Sequence, residues 1–115
     1  VSFLLEQRGC KVVVVRSKTE NAEQIIKNAD VIVSAVGKPK LITGDKIKSG
    51  AIIIDAGTAE STGGIVGDVD FNSIKSLAGF ISPVPGGVGP VTAAMLLTNV
   101  VKVAKIFAQN KQQYG

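Results

Sequence analysis

Three short runs of apolar, largely β-branched residues constrain this chain more than any other feature: Val12-Val13-Val14-Val15, Val31-Ile32-Val33-Ser34-Ala35-Val36 and Ala51-Ile52-Ile53-Ile54-Asp55. Each has the length of a strand, and none alternates apolar with polar residues. Such a strand is covered on both faces, as in a parallel sheet lying between layers of helices. The intervening segments carry helix signals. Val1–Arg8 holds Val1, Phe3, Leu4 and Leu5 and stops at Gly9, which suits a helix end followed by a left-handed cap. Asn21-Ala22-Glu23-Gln24 has capping-box spacing and opens a helix to about Asn28, with Ala22, Ile25, Ile26 and Ala29 as its buried stripe.

Downstream the elements shorten. A helical turn is expected around Gly44–Lys48 and a turn at Ser61–Gly64, with Ile65-Val66 as an edge strand or hairpin arm. Asp70 is placed to cap a short helix over Phe71–Leu77, and Phe80-Ile81 reads as a last strand. A long helix is expected from Val91 to about Gln109, with Gly89 at its N-cap and Pro90 in its first turn. Strands alternating with helices predict an α/β, Rossmann-like, doubly wound domain with a mostly parallel sheet.

At 115 residues the chain is one domain's worth. It contains no histidine, which excludes histidine metal sites, a serine–histidine–aspartate triad and a histidine general base. Its single cysteine, Cys10, excludes an internal disulfide, argues against structural zinc and fits a reducing, cytoplasmic location. Cys10 is read as a small buried hydrophobe, because no base is at hand to activate it. The net charge is +4, but Lys and Arg are scattered and Phe71 is the one aromatic in the central stretch. Neither a basic stripe nor stacking platforms for nucleic acid result. No apolar run approaches the roughly 20 residues of a membrane span, so neither nucleic acid nor membrane is an expected partner. Because Val1 lies inside a helical pattern, the chain is expected to be a fragment of a longer protein.

Ligands of open α/β sheets bind outside the carboxyl ends of the strands. Here those ends are Arg16-Ser17-Lys18, Val36-Gly37-Lys38-Pro39 and Asp55-Ala56-Gly57-Thr58. At the end of the first run, an acidic residue is the usual partner of the ribose 2′-hydroxyl of NAD. Two cations and a hydroxyl stand there instead, which suits the 2′-phosphate of NADP over NAD; the alternative is that Arg16 and Lys18 are solvated surface cations. In Pro85-Gly86-Gly87-Val88-Gly89-Pro90-Val91-Thr92, Gly86 and Gly87 allow close backbone approach at a helix N-terminus; the alternative is a tight turn before a helix. Asp68 and Asp70 fit capping and loop structure better than a metal, and no residue is a convincing general acid or base. Lys38 comes nearest and reads as a solvated loop lysine.

The segment Pro83-Val84-Pro85-Gly86-Gly87-Val88-Gly89-Pro90-Val91-Thr92 resembles the C-terminal signature of the bifunctional methylenetetrahydrofolate dehydrogenase/methenyltetrahydrofolate cyclohydrolase family. Arg16-Ser17-Lys18-Thr19, Ala29-Asp30, Ala35-Val36-Gly37-Lys38-Pro39, Gly50 to Gly57 and Val66-Gly67-Asp68-Val69-Asp70 match further family segments in order. The resemblance implies an NADP-dependent oxidation of methylene-tetrahydrofolate to methenyl-tetrahydrofolate, followed by hydrolysis to formyl-tetrahydrofolate, in enzymes that are usually homodimers. It implies that this chain is most of the Rossmann domain, 1–115, lacking its first strand and the glycine-arginine-serine loop after it. The N-terminal catalytic domain, with the family's lysine, is then also missing, so the fragment alone carries no catalytic residue. By resemblance, Ser17 lies near the 2′-phosphate, Val36 and Gly37 line the cofactor edge, and Gly57 and Thr58 meet the cofactor through the backbone. Pro85, Gly86, Gly87, Gly89 and Thr92 belong to the folate and nicotinamide side. Arg16 stands where the family most often has histidine, and Glu60 where a cation is frequent. The alternative to an enzyme part is a stand-alone, non-catalytic regulatory or interaction module.

In this topology the absent strand lies in the centre of the sheet, between Val12–Val15 and Val31–Val36. Two unpaired strand edges are costly and sticky. The isolated 115-residue polypeptide is therefore expected to self-associate or to melt without cooperativity; light scattering and a thermal melt check this, and a monodisperse monomer with a cooperative melt contradicts it.

Overall fold

In the computed structural model, residues 1–114 are described, with side chains as far as Lys111. Strands β1 (Val31–Ser34), β2 (Ile52–Asp55) and β5 (Phe80–Ile81) form one parallel sheet in the order β1-β2-β5. Val31 lies opposite Ile52, Ser34 opposite Asp55, and Ile52 opposite Phe80. Between them, β3 (Ala59–Ser61) and β4 (Gly64–Val66) make the expected hairpin, antiparallel and separate from the main sheet. The helices are α1 (Ser2–Glu6), α2 (Ala22–Asn28), α3 (Phe71–Ile74) and α4 (Val88–Tyr114), with a 3-10 turn at Gly44–Lys46. Parallel strands with helices between and around them make this an α/β domain as expected, although the links from β1 to β2 and from β2 to β5 carry only the 3-10 turn and the single-turn α3.

One face of the sheet is buried. Ile32, Ile42, Ile47, Ala51, Ile53 and Ile74 form the core, and Ile26, Ala29, Leu77 and Ile81 pack around it. Along β1 and β2 burial alternates: Ile32, Ser34, Ile53 and Asp55 point in, while Val31, Val33 and Ile52 are exposed together with Phe80. The expectation of cover on both faces is corrected here, since no described helix lies over the Val31–Phe80 side. The stripe of α2 is the predicted set, but each of its members is only half-buried.

Several local expectations change for identifiable reasons. Val12–Val15 forms no strand: among the described residues no segment pairs with it, and Val13 and Val14 are exposed. A β-branched run without a partner edge has nothing to accept its backbone groups. Cys10, in the same stretch, is exposed rather than buried. Gly9 does take the left-handed cap (φ +80°), letting the Cys10 N–H reach the Leu5 carbonyl at 3.1 Å. Asn21 precedes α2 as expected but sits at φ +56° and makes no side-chain cap, so the capping box does not form. Asp70 precedes α3 without a side-chain cap, and α3 is a single turn.

Helix α4 begins at Val88, so Gly89 lies inside its first turn rather than at its N-cap, while Pro90 is in that turn as expected. Pro90 costs nothing there, because the first N–H groups of a helix lack intrahelical partners. From Gly89 to Lys111 every residue of α4 is exposed, apolar ones such as Val91, Leu96, Leu97, Val100 and Phe107 included. The radius of gyration, 18.0 Å, exceeds the roughly 13 Å of a packed domain of this length. The expectation of no span-length apolar run is also corrected: Val88–Lys111, 24 residues of mean hydropathy 1.6, is long and apolar enough to cross a membrane. Thr92 and Thr98, which interrupt the run in sequence, donate their hydroxyls to the Val88 and Ala94 carbonyls and are polar in name only.

Ile53 and Ile74 are fully buried at the centre of the core. Ile53→Ala is expected to lower unfolding stability by about 2–5 kcal/mol, through lost burial plus an unfilled cavity. Denaturant titration of variant and parent checks this, with the exposed Val33→Ala as the mild comparison.

Candidate functional site

The carboxyl ends of β1 and β2 converge on two buried carboxylates, Asp55 and Asp68, 3% and 0% exposed. Asp55 is the last residue of β2 and points to the buried face because it lies two residues beyond Ile53. Its Oδ1 accepts the N–H of Gly57 at 2.9 Å and of Asp68 at 3.1 Å, and its Oδ2 accepts that of Val69 at 3.0 Å. Its own N–H goes to Ser82 Oγ at 2.8 Å. Asp68 is held in turn: Oδ2 accepts the Ser34 hydroxyl at 2.6 Å and the Val36 N–H at 2.7 Å, and Oδ1 accepts the Lys38 N–H at 2.9 Å. The segment carrying Asp68 is fixed from its other side, where the Ile42 N–H donates to the Asp68 carbonyl at 3.1 Å.

Glycines make room for both acids. A Cβ on Gly57 would overlap the Asp68 carboxylate, and one on Gly67 would overlap that of Asp55. Gly37, at φ +77°, brings its loop within 3.4 Å of the Thr58 carbonyl, measured from where a Cβ would stand. Val36-Gly37-Lys38 and Gly57-Thr58 thus form one continuous main-chain edge. Beside it, a cleft of about 130 Å³ runs between Asp55, Gly67, Ser82, Pro83 and Val84.

The other predicted residues fall outside this edge. Arg16, Ser17 and Lys18 sit in a turn closed by Thr19, whose N–H reaches the Arg16 carbonyl at 2.9 Å and whose Oγ1 accepts the Arg16 N–H at 2.8 Å. Because Val12–Val15 does not join the sheet, no hydrogen bond among the described residues ties that turn to β1. The one ion pair among the described residues is Lys48–Asp30, which leaves Arg16 and Lys18 without a carboxylate partner. Pro85, Gly86 and Gly87 form the turn into α4, with Val84–Pro85 cis and Gly86 at φ +95°, and Gly89 lies in the first turn of that helix; space around Gly86 and Gly89 is open. Thr92 faces its own helix through Val88. No group of acidic residues or Cys among the described residues could hold a metal.

Sequence reasoning placed Asp68 in loop structure but missed what it grips, and missed Ser34 and Ser82 altogether. The available signal was a serine at the end of two of the apolar strands, Ser34 after Val33 and Ser82 after Ile81.

The chain has clear relatives. The family model described as tetrahydrofolate dehydrogenase/cyclohydrolase, NAD(P)-binding domain, matches residues 1–108. The bifunctional protein FolD of Staphylococcus aureus is 49% identical over 107 residues, covering 92% of this chain and 37% of the relative. Among solved structures, the bifunctional FolD methylenetetrahydrofolate dehydrogenase/cyclohydrolase of Campylobacter jejuni superposes with a TM-score of 0.86 at 43% identity, over 90% of this chain and 37% of that one. The Trypanosoma brucei methylenetetrahydrofolate dehydrogenase-cyclohydrolase, solved with NADP and an inhibitor, gives 0.83 at 40% identity, over 93% and 39%. The chain spans a little over a third of the length of the curated relatives it matches.

Burial pushes the Asp68 carboxyl up, but the Ser34 hydroxyl and the N–H groups of Val36, Lys38 and Gly37 together outweigh it and hold the group below the ordinary carboxylate range. A carboxyl held low by folding stabilises the native state above its unfolded pKa, and that contribution disappears as pH falls through its folded value. Asp68→Asn is therefore expected to reduce stability at pH 7, with the gap to the parent narrowing below about pH 4. Denaturant midpoints across that range measure it; a gap independent of pH contradicts it.

Proposed function

Because the chain belongs to the tetrahydrofolate dehydrogenase/cyclohydrolase family, as its NAD(P)-binding domain, we propose that it is the cofactor-binding part of a bifunctional, NADP-dependent enzyme of one-carbon metabolism. The whole enzyme oxidises methylene-tetrahydrofolate to methenyl-tetrahydrofolate and hydrolyses that product to formyl-tetrahydrofolate. The observation that carries this reading is the main-chain edge at Val36–Lys38 and Gly57–Thr58, on a chain 40% identical to a protein solved with NADP. NADP would supply the hydride acceptor. This chain's residues bind and orient it: Gly37 and Thr58 offer backbone where no side chain intrudes, and Arg16, Ser17 and Lys18 offer two unpaired cations and a hydroxyl to a 2′-phosphate. Pro85, Gly86, Gly87, Gly89 and Thr92, beyond the cleft at Val84, belong to the folate side.

Three unpartnered surfaces support the same reading. The free edge of β1 would take a further central strand, with Val12–Val15 pairing on its far side, so that residues 1–115 are a Rossmann domain without its first strand. The open sheet face at Val31, Val33, Ile52 and Phe80 would be covered once that sheet is complete. Helix α4, exposed and largely apolar from Gly89 to Ala108, would pack against a catalytic domain or a second subunit of a homodimer. Lys102 and Lys105 within its span-length stretch are expensive in lipid and argue for a protein neighbour and a cytoplasmic enzyme.

The test is a thermal-shift titration of the protein from the full reading frame that carries this chain. NADP at 100 times its dissociation constant is expected to stabilise it by about 2.7 kcal/mol, with NAD at the same concentration giving less. Charge reversal at both Arg16 and Lys18 is expected to remove the preference for NADP. No shift with either nucleotide favours a non-catalytic module.

A further inference from the structure

We propose that Asp68 is the positioning residue of the cofactor edge, the single group that holds the Val36-Gly37-Lys38 loop in the shape that receives the nucleotide. This rests on the reading of that edge as the NADP site. Residues 35–40 make no backbone–backbone hydrogen bond to any other segment among the described residues. The main-chain anchors of the loop are the Val36 and Lys38 N–H groups, and both end on Asp68, one on each carboxylate oxygen. Gly37, between them, takes φ +77°, a conformation with no local restraint of its own in a glycine.

Asp68 has the rigidity this task needs. It is fully buried, its N–H and that of Val69 are held by Asp55, and its carbonyl is held by Ile42. The same carboxylate fills the space where Gly57 lacks a side chain, so both strand-end loops are packed on one anion. Among the described residues no cation pairs with it; its counter-charge is main-chain dipole and the Ser34 hydroxyl. A loop freed from this anchor has to be ordered by the nucleotide itself, and that cost falls on binding. Once the nucleotide is bound the loop is ordered in either protein, so turnover at saturation is preserved.

The experiment compares the protein from the full reading frame with Asp68→Asn and, as a surface comparison, Asp30→Asn. Asparagine keeps the shape but turns an NH2 toward donors. The expected result is an NADP dissociation constant and KM raised about tenfold, a kcat within about twofold, and an unchanged KM for folate. Amide exchange is expected to speed up at Val36 and Lys38 while Ile53 stays protected. Unchanged NADP affinity in a folded Asp68→Asn overturns the proposal, as does a loss of kcat with KM unaltered. If the parent binds no NADP, the cofactor reading fails, whereas exchange at Val36 and Lys38 still decides whether Asp68 anchors the loop. Should Asp68→Asn not fold, Ser34→Ala removes one bond to Oδ2 and leaves both loop bonds; a twofold to threefold rise in KM for NADP supports the proposal, and none overturns it.

Discussion

Two buried carboxylates, neither in an ion pair among the described residues, organise the end of this domain where the strands finish. Moving an isolated ionised carboxylate out of water is among the most expensive steps in folding. Here the cost is offset by main-chain N–H groups: Gly57, Asp68 and Val69 on Asp55, Val36 and Lys38 on Asp68, with Ser34 completing the set. Those same N–H groups lie where the chain leaves regular structure and would otherwise need partners of their own. The acids and the loops therefore satisfy one another.

That exchange ties the sheet to its ligand edge. Asp55 continues β2, Ser34 closes β1 and Ser82 follows β5, so each parallel strand contributes one buried polar residue to the same cluster. The isoleucine core beneath it settles the register, with Ile32 beside Ile53 and Ser34 beside Asp55. Packing thereby sets the positions of the polar groups, and the polar groups set the loops.

Much of this could be read from the residues. The apolar runs at Val31 and Ile52, the hairpin at Ile65, the short strand at Phe80 and the left-handed Gly9 all follow from side-chain branching and glycine's freedom, which are local properties. What was not legible depended on partners distant in sequence. Val12–Val15 has the composition of a strand, but a strand exists only where an edge accepts it. Cys10 and the outer face of β1 look buried for the same reason. The cap at Asn21 and the start of α4 were decided by backbone angles that spacing does not report. The role of Asp68 was hidden because its partners are backbone groups about thirty residues away, which carry no sequence signature.

The fit between acid and glycine also limits how this domain can change over generations. Gly57 lies against Asp68 and Gly67 against Asp55, each glycine shaped by the acid of the other's segment. A methyl group at either glycine displaces a charge that has nowhere else to go, and a longer acid at either aspartate strikes a backbone. The four positions are thus linked in two crossed pairs, and any change that adds bulk at one member presses on its partner. Their history is expected to be one of joint change in size, and a library that varies them one at a time will admit isosteric replacements of the acids and reject larger side chains at the glycines.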